Sequence, residues 1–502
     1  MLLKQLFSYG CCRCNTGGQG GGQLRRGGAP CVGRRCCARI ICAFAILRGK
    51  PVSADFSSGL NQQWTQRTLA AVWHPCTQMQ HHLRADSPQA MPLVPIARGQ
   101  GAWLYDFDGR RYLDGISSWW TNLFGHNHPQ IVAALRAQLE ELDHEMLAGF
   151  THAPVVELSE RLAARTQGAL GHAFYASDGA SATEIALKMS AHYWRNAGRA
   201  EKNGFLCLAG SYHGETVGAM AVTDLALFRE AYAPLLRPAA VLPSPDARQA
   251  GEGEAAQDVA RRAAAALEAY LREHAHEIAA LIVEPLVQCA TGMAMYDADY
   301  LRRARALCEQ YEVHLICDEI AVGCGRTGTF FAHEQAGIRP DFLCLSKGIT
   351  GGTLPLSIVL CTDAVYEAFL DDTVARAFLH SHSYTGNPLA CRAALAVLDI
   401  FEQDDVLRAN RERAAALSHA FAPLAAHPAV RHLRQRGMIL AFDVATEDAA
   451  FSRRFYRAAL AREALVRPLG NTVYVMPPYI LNEAERAHLA CAVQGALAEA
   501  LA

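Results

Sequence analysis

Two hydrophobic periods take turns along most of the chain. From Gln62 onward, short apolar runs give way to stretches with helical spacing. Residues 98–113 (RGQGAWLYDFDGRRYL) alternate around Asp108 and Gly109, which predicts a hairpin. Residues 129–142 and 154–165 carry helical periodicity, the first opening on Pro129. Residues 173–175 predict a short strand that runs into Ser177, Asp178, Gly179 and Ala180, with a helix after it. GFLCLA at 204–209 predicts a strand, and 253–278 an Ala-rich helix laced with Arg and Glu. IAALIVEPL then reads as a buried strand and 298–311 as a helix. HLICDE and DFLCLSKG are two further apolar runs, each ending in a charged residue. Strands alternating with helices predict an α/β domain with a mainly parallel sheet.

Length and composition narrow the class. A chain of 502 residues exceeds what one core usually accommodates, so two domains are expected. With 51% apolar and 19% charged residues, wholesale disorder is excluded. The formal net charge of −2 offers no global field for nucleic acid or membrane surfaces. No apolar run approaches the roughly 18 residues that a membrane span needs.

These averages hide a break near residue 55. Residues 1–55 hold nine Lys or Arg against one Asp, a local charge of +8, so the remainder sums to −10. The same segment holds seven of the 17 cysteines and a GGQGGGQ stretch. Its cysteine spacing matches no zinc pattern and it contains no His. A secretory signal fits poorly, because Arg48 and Lys50 interrupt the approach to the would-be cleavage site. The expectation is a disordered Cys/Arg/Gly-rich extension, translated from a start upstream of the natural one. The other ten cysteines are scattered singly, which fits a reducing compartment and predicts a cytoplasmic protein.

In parallel sheets ligands bind where the strands end at their carboxyl edge. That directs attention to Asp178, Glu284, Asp318 and Lys347. Lys347 follows DFLCLS, so burial there would lower its pKa and free a neutral amine able to join an aldehyde. Gly348, Gly351 and Gly352 leave its backbone room for a bulky group. Taken alone, it also reads as a surface lysine past a strand. Asp318 ends VHLICD, where a carboxylate can hold a positively charged ring nitrogen; a helix cap is the plainer reading. Tyr212 follows GFLCLAG and can stack on a flat ring, or simply pack. The amides at Gly179 and Ala180 open a helix and can take a phosphate, although an ordinary N-cap looks the same. Amine, ring-nitrogen partner, stacking ring and phosphate cup together make the kit that pyridoxal 5'-phosphate (PLP) requires. No metal set competes with it.

The run LICDEIAVGCGRTGTFFAHEQAGIRPDFLCLSKGITGG resembles the class III aminotransferases of the fold-type I PLP family, as do VEPLVQCATGM, SYHGETVGAM and HSYTGNPLAC. The resemblance extends from about residue 62 to the end. WHPCTQM, DGISSWWTNLFGHNHP, THAP and VRPLGNTVYVMPPYI are most similar to a branch of that class acting in biotin synthesis. That branch moves the amino group of S-adenosylmethionine to 8-amino-7-oxononanoate by a ping-pong route.

The resemblance implies a large PLP-binding domain at 117–402 built on a mainly parallel seven-stranded sheet. It also implies a smaller α+β domain made from both chain ends, at 56–116 and 403–502. Carried residue by residue, it makes Lys347 the residue that bonds the cofactor aldehyde and Asp318 the partner of its ring nitrogen. Tyr212 stacks on the ring; Gly179, Ala180, His382 and Ser383 serve the phosphate, Ser383 from the other subunit of a homodimer. Trp119, Ser381 and Arg467 match substrate contacts, and Arg326 and Tyr474 the lining of the substrate channel. Small-molecule substrates and a second copy are thus the implied partners, with no nucleic acid and no membrane.

Three positions depart from the pattern. Cys76 stands where relatives usually carry a substrate-contacting Tyr, Ala180 where many have Ser, and HSHSYTGNP replaces a His-Gly-Pro-Thr version. The first and third leave open another class III aminotransferase, acting on an ω-amino acid or a diamine. A catalytically silent PLP-binding protein is argued against by the intact Lys347 and Asp318.

Overall fold

The computed structural model describes residues 59–84, 87 and 89–502. The extension expected at 1–55 lies outside the described residues. The first sheet starts with β1 (Ile96–Gln100), β2 (Trp103–Asp106) and β3 (Arg111–Asp114), an antiparallel meander. The β2–β3 turn is the expected one. The Asp106 carboxylate accepts from the amides of Asp108 and Arg110, and Gly109 takes φ +88°. β1 adds a second hairpin through Gly101, at φ +56°.

The central sheet comprises β4 (His172–Ala176), β5 (Gly204–Leu208), β6 (Ala240–Leu242), β7 (Ile278–Val283) and, past a short hairpin of β8 (Val287–Gln288) and β9 (Ala294–Met295), β10 (His314–Asp318), β11 (Phe342–Leu345) and β12 (Ser357–Cys361). Its seven strands run in the order β4-β12-β11-β10-β7-β5-β6. Only β12 opposes its neighbours; the rest are parallel. The inner strands β7 and β11 are apolar throughout because both faces are covered. Leu281, Val283, Leu315, Cys317, Leu343 and Leu345 pack with Leu267, Leu301 and Ala304 of two helices, Ala256–His274 and Asp299–Gln310. The alternate positions Ile282, Ile316, Phe342 and Cys344 face Ala182, Ile185 and Met189 of the helix Gly179–Asn196. Ala256–His274 is shorter than the 253–278 expected, since Gly253 turns at φ +80° before it and Ile278 already belongs to β7.

The chain ends in β13 (Val430–Arg436), β14 (Ile439–Val444), β15 (Ala464–Leu465) and β16 (Thr472–Val475). β13, β14 and β16 form an antiparallel sheet over the helices Phe451–Ala461 and Glu483–Leu501. β15 joins the first sheet, pairing Ala464 with Leu113 and Leu465 with Asp114. All ten described cysteines are free thiols. Among the described residues no helix is long and apolar enough to cross a membrane.

Candidate active site

Parallel strands deliver the candidate residues to one edge. β10 ends on Asp318, which pairs in register with Cys344 of β11, three residues before Lys347. β7 pairs Val283 with Cys317, so Glu284 follows at the level of Asp318. β5 leads into Tyr212, and β4 into Ser177 and Asp178.

Lys347 sits in a single 3-10 turn after β11, with φ +45°. This left-handed conformation is uncommon outside glycine and aims the side chain back over the strand ends. Ser346 anchors the entry by donating from Oγ to the Leu356 carbonyl at 2.7 Å. On the far side Gly352, at φ +80°, lies so close to Thr121 and Asn122 that a Cβ would come within 2.8 Å of their backbone. Lys347 Nζ makes no hydrogen bond or ion pair among the described residues and lies 4.9 Å from the centre of the Trp120 ring. Burial pushes its pKa below the usual lysine value, partly opposed by the Asp318 carboxylate.

Asp318 is buried and held from two sides. Oδ2 accepts from His213 Nδ1 at 2.7 Å, and Oδ1 from the Ile320 amide at 3.0 Å. The His213 ring is enclosed, and its Nε2 has no partner among the described residues. The neighbouring Glu284 accepts from the amides of Tyr212 and Cys289. Burial, with Asp318 adding to it, pushes Glu284 up to about 7. No local pattern announces the His213–Asp318 pair, which spans 105 positions.

Tyr212 lies half-buried at the rim, its hydroxyl donating to Glu215 at 2.9 Å. Burial and that carboxylate raise its pKa. Gly214, at φ +124°, brings this loop against the helix Gly179–Asn196, where a Cβ would meet Ala180 Cβ at 2.5 Å. Asp178 caps the helix by accepting from the Ser181 amide. The amides of Gly179 and Ala180 have no acceptor among the described residues and remain free donors at the helix start.

Arg467 stacks over Trp119 with 5.3 Å between guanidinium carbon and ring centre, and makes no hydrogen bond or ion pair among the described residues. Nearby Cys76, at φ +49°, has its thiol pushed up by partial burial and by Glu215, opposed by the Arg467 charge. Tyr474 is buried and accepts from Trp120 Nε1 at 3.0 Å. Arg326 is 1% exposed and donates to the carbonyls of Pro477 and Asn122, both at 2.8 Å. Ser381 and Ser383 are exposed and form no side-chain hydrogen bond among the described residues, so this chain alone does not join them to the rest. His382 Nε2 comes 3.5 Å from Ser177 Oγ, beside the helix start. The structure thus gathers Lys347, Asp318, Tyr212, Gly179 and Ala180 at one sheet edge, with Trp120, His213 and Glu284 added to them.

Comparison with known proteins identifies the family. The family model described as aminotransferase class-III matches residues 85–497. A Helicobacter pylori protein named adenosylmethionine-8-amino-7-oxononanoate aminotransferase is 45% identical over 433 residues, covering 84% of this chain and 95% of that one. The crystal structure of the Methanocaldococcus jannaschii protein of the same name aligns with a TM-score of 0.80 at 32% identity, over 87% of this chain and 99% of that chain. An amine transaminase from an uncultivated Pseudomonas species, in a PLP-bound form, aligns with a TM-score of 0.79 at 32% identity, over 85% of this chain and 98% of that chain. With the family match spanning most of its length and its strand ends bearing the lysine and aspartate described above, this chain belongs to the class-III aminotransferases.

Proposed function

We propose that the protein transfers the amino group of S-adenosylmethionine to 8-amino-7-oxononanoate, using PLP. The residues present fit that cofactor. Lys347 supplies an unpaired amine, Gly179 and Ala180 two unpaired amides, and Gly214 a close approach that a side chain would block. Lys347 would hold the cofactor covalently, Asp318 its ring nitrogen, the two amides its phosphate and Tyr212 its ring face. Asp318 keeps acceptor capacity beyond its bonds to His213 and Ile320. When bound, PLP supplies an electron sink and a temporary carrier for the amino group. Lys347 Nζ, disposed to neutrality by burial, takes the proton from the donor carbon and returns one to the acceptor carbon. Trp120 covers this amine, restricting water around the moving proton.

The observation that carries the substrate reading is Arg467, an unpaired guanidinium stacked on Trp119, next in sequence to the Trp120 that lies over Lys347. It suits a carboxylate at the far end of an apolar chain, as 8-amino-7-oxononanoate presents. The Helicobacter pylori relative, named for this reaction, supports it. The test is to mix purified protein with 8-amino-7-oxononanoate and offer S-adenosylmethionine, alanine or glutamate. Diaminononanoate formed only with S-adenosylmethionine is expected. Use of alanine or glutamate, with S-adenosylmethionine inert, would favour the second reading, an ω-amino acid or diamine aminotransferase. Cys76, standing where relatives usually carry a substrate-contacting Tyr, is what favours that reading.

Arg467→Ala is expected to weaken use of the keto acid by about ten- to a hundredfold in kcat/KM, the worth of a charge-assisted pair. The S-adenosylmethionine half-reaction should lose less. Single-turnover rates of each half-reaction check this, and equal losses would make Arg467 a general wall of the pocket.

A homodimer completes the reading. The exposed Ser381 and Ser383 sit in a segment that also exposes Leu370, Val374, Leu379 and Tyr384, an apolar surface suited to a second copy.

A further inference from the structure

Ser117–Trp120 form a turn unlike the rest of the fold. All four residues have positive φ, at 51°, 47°, 70° and 74°, and none is glycine. A left-handed conformation costs roughly 1–2 kcal/mol per residue, so such a run persists only where its surroundings dictate it. The surroundings here are a hydrogen-bonded clamp. Asp114, whose side chain is fully buried, accepts from the Ser118 amide through Oδ1 at 2.8 Å and from Ser118 Oγ through Oδ2 at 2.7 Å. The same Oδ2 lies 3.0 Å from His126 Nε2, and His126 Nδ1 lies 3.2 Å from Asn122 Nδ2. The carboxylate thus faces Nε2 of the ring, and the Asn122 amide nitrogen faces Nδ1. Asn122 Oδ1 in turn accepts from the Gly125 amide at 2.7 Å. On the opposite side Ser117 Oγ donates to the Met476 carbonyl at 2.7 Å, and Arg326 bridges Asn122 and Pro477.

The turn has one evident product. It sends two adjacent tryptophans to different walls: Trp120 inward, 4.9 Å from Lys347 Nζ and bonded to Tyr474, and Trp119 outward under Arg467. A right-handed turn would present adjacent side chains differently. We propose that Asp114 is a positioning residue for substrate binding, acting through Ser118 to hold this strained turn and so fix both tryptophan walls. The proposal rests on the substrate reading above for its kinetic arm only.

Ser118 is exposed, so substitutions there leave the core intact and separate strain from folding. Glycine takes left-handed φ freely, whereas a β-branched residue resists it. Ser118→Gly is expected to keep KM within about twofold of the parent. Ser118→Val and Asp114→Asn should each raise KM for both substrates about tenfold, the size of one unsupported left-handed residue. Cofactor loading, read from visible absorbance, and melting temperature should stay near the parent in Ser118→Val. Adding Ser118→Gly to Asp114→Asn should recover most of the lost KM, which a purely structural role for Asp114 would not allow. Parental KM in Ser118→Val, or no recovery in the double variant, would overturn the proposal. A second arm needs no substrate: acrylamide quenching of tryptophan fluorescence should rise in Ser118→Val and not in Ser118→Gly. Unchanged quenching in Ser118→Val would overturn the clamp even if the parent proved inactive on these substrates, whereas parental inactivity with the quenching pattern intact would count against the substrate reading alone.

Discussion

Lys347→Ala is expected to abolish turnover, by at least about ten thousandfold, while the protein stays folded. Two functions vanish with one side chain: the covalent hold on the cofactor and the proton transfer at the substrate carbon, which alone is worth about a hundred- to ten thousandfold. Nothing nearby can substitute. The only other lysines among residues 59–502 are Lys188 and Lys202; Lys188 bonds His380, and Lys202 is enclosed with its amine on the Ala275 carbonyl. Folding should survive because Lys347 Nζ makes no hydrogen bond or ion pair among the described residues. Alanine inherits the φ of +45°, so a modest drop in melting temperature is the most that follows. Product assays, visible absorbance of added cofactor and thermal unfolding decide the matter together. A folded variant with parental turnover would remove Lys347 from its role.

Strand ends made this much legible beforehand. Apolar runs that stop at Asp318 and before Lys347 locate a sheet edge because fully covered strands must be apolar throughout. What lay beyond reach were contacts made by the third dimension. His213 meets Asp318 across 105 positions, and no periodicity encodes that pairing. β12 runs against its neighbours, yet a two-residue period carries no direction. Ser117–Trp120 lacks the Gly or Asn that normally announces a left-handed turn; its conformation comes from Asp114, His126 and Met476. Arg326 matches a channel-lining position by resemblance alone; its bonds to the carbonyls of Asn122 and Pro477 span 204 and 151 positions, which no local pattern encodes.

Asp318→Asn should retain cofactor but lose about a hundred- to a thousandfold in kcat, the scale of removing a preorganised charge from a dry site. The carboxylate offers two acceptor oxygens, and both are used: Oδ1 takes the Ile320 amide and Oδ2 takes His213 Nδ1. An amide has only one. Whichever way Asn turns, a donor faces either the Ile320 N–H or His213. His213 can adapt only by shifting its proton to Nε2, an enclosed atom with no partner among the described residues. A neutral amide also cannot hold a positively charged ring nitrogen, so the electron sink weakens while the Lys347 and phosphate contacts persist. A second consequence has a definite sign. The Asp318 charge raises the pKa of both Lys347 and Glu284, so its removal must lower both. Cofactor-free Asp318→Asn should therefore capture added PLP through its neutral amine at a lower pH than the parent. Stopped-flow capture rates across pH measure this, and transamination assays measure the loss in kcat. A variant with near-parental kcat would show that the ring nitrogen has another partner. Slow transamination with an unmoved capture profile would mean that Asp318 serves the bound cofactor without influencing the lysine field.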